Sequence, residues 1–76
     1  MGIINEKVLR EKIGLHGGYY KLRELITFTD FKKRNEKVSK LLGIKVDGIV
    51  LARNAIYIAS GKRAIKIFPG NLVIVD

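Results

Sequence analysis

Fifteen Lys and Arg side chains meet seven Asp and Glu in this 76-residue chain, a formal net charge of +8. The first chemistry to weigh is therefore that of cations with anions. A polyanion gains affinity from each cation that displaces its condensed counterions. Two groups of cations have spacings that suit this work. Lys33, Arg34, Lys37 and Lys40 recur at helical intervals and share an exposed helix face. Arg53, Lys62 and Arg63 fall at turn positions, where an arginine offers planar, bidentate recognition of phosphate. Lys66 alternates with isoleucines and points outward from a strand, as does Tyr57. An aromatic ring between cations can stack on an unpaired base. The same helix lysines also serve a plain solvated face, and Tyr57 also suits a strand for its propensity alone.

Catalytic chemistry has little to work with. His16 is the one side chain whose unperturbed titration lies near neutrality. It stands between Leu15 and Gly17, with no Cys, Ser or metal-binding partner beside it. Glu6, Glu11, Glu24 and Glu36 each sit near basic residues on expected helices, where solvated ion pairing accounts for them. Asp47 reads as a turn residue. Ala59-Ser60-Gly61-Lys62-Arg63 contains the Gly-Lys pair of a phosphate loop. That loop also needs an earlier Gly where Ile56 stands, a Ser or Thr where Arg63 stands, and a helix to follow. A basic turn is what remains. No enzymatic activity and no cofactor are expected.

The elements that must position these cations divide near residue 43. Residues 1–43 carry ten of the fifteen basic residues and all four Glu. The first helix is expected over Glu6–Ile13, with Asn5 as its cap, Ile4 and Leu9 as a staple, and Gly14 at its end. Its apolar stripe is Val8, Leu9 and Ile13. Gly17 and Gly18 break the chain, and a second helix over Tyr19–Ile26 follows from Leu22, Leu25 and Ile26, while Tyr19-Tyr20 equally suits the start of a strand. Thr27 to Asp30 has the form of a capping box, with Thr29 as a rival cap. A third helix then runs over Asp30–Leu42 and stops at Gly43. Phe31, Val38, Leu41 and Leu42 form its apolar face, and Lys32 pairs with Glu36.

Residues 44–76 are rich in Ile and Val between turn residues and read as strands. Asp47-Gly48 is a hairpin signal within Ile44–Leu51. Arg53-Asn54, Ser60 to Arg63 and Pro69 to Asn71 are further turns. They separate strands over Ile56–Ala59, Ala64–Phe68 and Leu72–Val75. The fold expected is α+β: two or three N-terminal helices packed on a C-terminal antiparallel β-meander. Residues 1–76 would form one small basic domain, 1–43 its helical part and 44–76 its strand part.

Composition excludes several classes. The hydrophobic share of 47% is too high for a disordered chain. There is no Cys, hence no disulfide framework and no thiolate zinc site. One His rules out a His-rich metal site. No apolar run approaches a membrane span. Met1 to Ile13 lacks the apolar region of a signal peptide, so a cytoplasmic setting is expected.

Two short motifs resemble known families. Val38-Ser39-Lys40-Leu41-Leu42-Gly43-Ile44, followed by Ile49, is similar to the middle of a helix-turn-helix. That resemblance implies a recognition helix from about Lys45 to Asn54, where the residues themselves favour strand. Ile44-Lys45-Val46-Asp47-Gly48 and Pro69-Gly70-Asn71-Leu72-Val73-Ile74 resemble parts of an S4-type RNA-binding domain. This second resemblance would place Arg34, Lys37 and Lys40 on an RNA-facing helix. The expectation is thus a non-enzymatic nucleic-acid-binding protein, RNA ahead of DNA, with no membrane partner. The alternative is a small interaction or regulatory module. It would bind an acidic protein, or form a homo-oligomer through the edge strand Leu72–Val75.

Overall fold

The computed structural model describes residues 4–76. The first three residues of the stretch Met1 to Ile13, in which no signal peptide is expected, lie outside the described residues. Among the described residues, three helices precede a four-stranded antiparallel meander. The helical part comprises α1 (Glu6–Leu15), α2 (Tyr19–Phe28), a 3-10 turn (Phe31–Lys33) and α3 (Arg34–Leu42). The strands are β1 (Gly48–Ala52), β2 (Ala55–Ser60), β3 (Arg63–Phe68) and β4 (Asn71–Val75). They lie side by side in chain order, so β1 and β4 are the two edges. The fold is the α+β arrangement read from the sequence. None of the described helices is long and apolar enough to cross a membrane.

Alternation along the strands builds the inner face. Register aligns Ile49, Ile58, Ile65 and Ile74 in one rank, and Leu51, Ile56, Ile67 and Leu72 in the next. Leu9 and Ile13 of α1, Leu22 and Ile26 of α2, and Val38 and Leu42 of α3 close over them in one core. Helix α1 runs nearest β4 and α3 nearest β1. Two side-chain hydrogen bonds lock helices to the far turns. Arg23 Nη1 donates to the Ala55 carbonyl at 3.1 Å, and Arg10 Nη2 to Asn71 Oδ1 at 3.4 Å.

Signals that depend on near neighbours lead to the elements expected of them. The Asn5 side chain accepts from the Lys7 and Val8 amides and starts α1. Gly43 ends α3 with φ at +68°, a left-handed conformation that a Cβ strains. Gly14, by contrast, does not end α1. The helix continues to Leu15 and the chain turns at Gly17 and Gly18 instead.

Other expectations change once the elements pack. Val8 is exposed, because α1 meets its neighbours through Leu9 and Ile13. The Thr27 and Thr29 hydroxyls donate back to the carbonyls of Arg23 and Leu25, so neither threonine caps α3. Asp30 does the capping, and what it caps is the 3-10 turn, through the Lys32 amide. That turn rotates Phe31 off the apolar face expected for it and leaves it 79% exposed. Lys40, and not Lys32, pairs with Glu36.

The largest change is at Asp47-Gly48. No hairpin forms there, and no recognition helix occupies Lys45 to Asn54. Residues 44–47 cross from α3 to the sheet, and Gly48 begins β1. The first hairpin turns at Arg53-Asn54, between the paired Ala52 and Ala55. The β-branched and apolar content of Ile49 to Leu51 favours a sheet, and pairing with β2 supplies the hydrogen bonds.

Ile65→Ala, in a fully buried site, is expected to cost about 2–5 kcal/mol, read as a fall in the urea midpoint. Val50→Ala lies on the opposite, open face, with Val50 63% exposed. It should change stability by no more than about 0.5 kcal/mol.

Candidate functional site

Three separate segments bring cations to one cleft of about 680 Å³. Its walls are the last turn of α3 with Gly43, the segment Ile44-Lys45, and the β2–β3 turn from Ser60 to Arg63, with Ile4 beside them. Lys40, Lys45, Lys62 and Arg63 line it, and among the described residues no acidic side chain does. A fifth cation, the ammonium of Lys12, lies over Gly43, where a Cβ would collide with it. This is the C-terminal end of α3, where the helix dipole favours positive charge.

Asp47 holds the walls together. Its amide donates to the Ala59 carbonyl at 2.8 Å. Its Oδ2 accepts from the Gly61 amide at 2.7 Å. Its own carbonyl accepts from Asn35 Nδ2 at 3.1 Å. One residue thus joins α3, the loop after it and the β2–β3 turn. The Ser39 hydroxyl donates to the Ile44 carbonyl and fixes the start of that loop. Within the turn, Gly61 has φ at +62°, the glycine-first form that suits a two-residue hairpin. Asp47 is therefore a loop residue and not the hairpin-turn residue expected from the sequence; the turn that its side chain secures lies fourteen residues further on.

Three of the four lining cations have a carboxylate partner. Lys40 pairs with Glu36 at 3.4 Å, and Lys45 with Asp47 at 3.8 Å. Arg63 Nε meets Asp76 Oδ1 at 2.8 Å. The carboxylates of Glu36 and Asp76 are largely exposed. Solvent-exposed pairs of that kind contribute about 0–1 kcal/mol each. Among the described residues, Lys62 has no carboxylate within ion-pairing distance.

The nine residues singled out by the sequence fall in several places. Lys40, Lys62 and Arg63 come together in the cleft. Lys33 and Lys37 line a neighbouring shallow cleft of about 560 Å³, which Lys40 also borders. Arg34 leaves the exposed lysine face. Its guanidinium lies 5.3 Å from the centre of the Phe31 ring, and its Nε is buried with no hydrogen-bond partner among the described residues. Arg53 sits at the β1–β2 turn, at the opposite end of the sheet from Lys62 and Arg63, because consecutive turns of a meander alternate ends. The turn-borne arginines and lysine therefore do not act as one group. Tyr57 and Lys66 are direct cross-strand partners in the middle of the sheet, on the face away from the helices.

Sequence reasoning misses Lys45. The span Ile44–Leu51 assigns it to a strand arm, whereas the Gly43 stop signal followed by Asp47 makes it a loop residue. His16 ends α1, with its amide donating to the Ile13 carbonyl. Among the described residues no group of three or more His, Cys, Asp or Glu is placed to hold a metal. Comparison with protein-family models, with curated proteins and with solved structures found no match in any of the three. The helix-turn-helix and S4 resemblances thus stand on their short motifs alone, and β1 overturns the first.

Asp47→Ala should free the Gly61 amide and loosen the β2–β3 turn, at a cost of about 1 kcal/mol. Hydrogen exchange is the check. Exchange at Gly61 should quicken, while exchange at the amide of buried Ile65 should follow only the small global loss.

Proposed function

We propose that this chain binds nucleic acid through its phosphates, without catalysis, and RNA ahead of DNA. The observation that carries the reading is the convergence of Lys40, Lys45, Lys62 and Arg63 on one cleft, with Lys62 outside any ion pair among the described residues. Cations drawn from a helix, a loop and a hairpin serve no common packing purpose. Three of them are held in solvent-exposed ion pairs with Glu36, Asp47 and Asp76, and a polyanion that takes the place of those carboxylates releases its own counterions. The net charge of +8 adds long-range attraction. The preference for RNA rests on what faces outward. The segment expected to read a DNA major groove is an apolar strand, with no row of polar groups for base edges. The Cys-free sequence agrees with a reducing, cytoplasmic setting.

A second reading has its own observation. Strand β4 is a sheet edge, and Val73 and Val75 are exposed on it. Self-association through that edge would appear as a solution mass that rises with concentration.

The test is a titration with single-stranded RNA, duplex RNA and duplex DNA at two salt concentrations. Binding should weaken steeply with salt. Replacing Lys62 and Arg63 together by Ala should weaken it further and flatten the log–log salt dependence by about one per lost phosphate contact. Absence of binding to all three at low salt would overturn the reading.

A further inference from the structure

Phe28 and Phe31 are 83% and 79% exposed. Single exposed apolar residues are ordinary. Two phenylalanines three positions apart, at the corner between α2 and α3, are a different matter, because of what surrounds them. Phe28 lines the shallow cleft with Lys33, Lys37 and Lys40. Arg34 lies against the Phe31 ring, which nonetheless remains largely open to solvent. Asp30 and Glu36 border the same cleft. Asp30 is engaged with the Lys32 amide, and Glu36 with Lys40.

Lys40 borders both clefts, so their cations follow one another in a track that Asp30 and Glu36 also border. From Lys33 to Lys40 it rises ~10 Å along the helix, then passes Lys45 to Lys62 and Arg63. Resting on the phosphate-binding reading above, we infer that Phe28 and Phe31 form a stacking platform for unpaired bases at one end of this track, so that the substrate class is single-stranded RNA. A ring flanked by cations is what such a strand requires: charge for the backbone and a flat apolar face for the base. A duplex keeps its bases stacked inside and presents only phosphates and groove edges, so it would gain nothing from the rings.

Phe28→Leu with Phe31→Leu tests this, because leucine keeps the apolar bulk and loses the ring. Both side chains are exposed, so the core should be untouched. Binding of a single-stranded oligouridylate should weaken about tenfold. The salt slope should not change, since no phosphate contact is lost, and binding of a duplex RNA should also stay as it was. A Phe31→Trp variant provides a second readout that does not depend on the double substitution. The chain contains no Trp, so the new indole emission reports this site alone and should be quenched by the oligouridylate.

Unchanged affinity of the leucine variant for the oligouridylate, with Lys62→Ala/Arg63→Ala still weakening it, would overturn the stacking platform and leave the phosphate reading standing. Loss of oligouridylate and duplex in equal measure would also overturn it. No binding of either RNA by the parent protein would overturn both. A blue shift of the Phe31→Trp variant's emission on phosphatidylserine vesicles, with no response to RNA, would replace a base with a lipid surface as the occupant.

Discussion

Eight aliphatic side chains stand in two ranks on the inner face of the sheet, and water must be kept from them. Fully burying such a side chain is worth about 1.5–3 kcal/mol, and the helices contribute Leu9, Leu22, Ile26, Val38 and Leu42 to the same buried core. Three short helices meet the demand only by offering their narrow apolar stripes together. That requirement decides where α1 and α3 lie against the edge strands. It also decides which side chains turn outward. The cations lie outside the core because a charge buried without a partner costs far more than a hydrophobic contact returns.

Covering one face leaves the other without helices. The rank Val50, Tyr57, Lys66 and Val73 therefore faces outward. Covering the inner face also sets the distance between α3 and the β2–β3 turn, and so creates the basic cleft. Asp47 secures that juxtaposition, with its amide on Ala59, its carboxylate on Gly61 and its carbonyl on Asn35. The cleft's electrostatic character thus follows from a packing problem solved elsewhere. Lys40 and Lys62 are not adjacent in the chain or within one element; they meet because the helix must lie on β1.

The corner between α2 and α3 shows the opposite balance. The Thr27 and Thr29 hydroxyls return to α2 carbonyls, Asp30 caps a 3-10 turn, and α3 starts only at Arg34. One consequence is that Phe28 and Phe31 stand in solvent among lysines. The helical period alone puts Phe31 in line with Val38 and Leu42. The tighter turn breaks that line, since its three residues per turn rotate Phe31 away from the stripe.

The chain's own chemistry determined a good deal. Period-two alternation in Ile56 to Ile58 and Ile65 to Ile67, and the Asn5 and Gly43 caps, were legible because each depends on neighbours a few residues away. So were the helix-then-meander order and the outward direction of Tyr57 and Lys66. Tertiary structure alone decided the rest. Asp47-Gly48 has the composition of a hairpin, yet Asp47 directs its hydrogen bonds to residues twelve and fourteen positions later. Arg34 shares the period of the exposed lysines, yet it turns to the Phe31 ring. Arg53 and Lys62 look alike as turn cations, yet the meander sends them to opposite ends of the sheet. Local sequence encodes the geometry of single elements, because caps and alternation are short-range interactions. Which cations share a site depends on how the elements pack, and that depends on burying apolar surface contributed from the whole length of the chain.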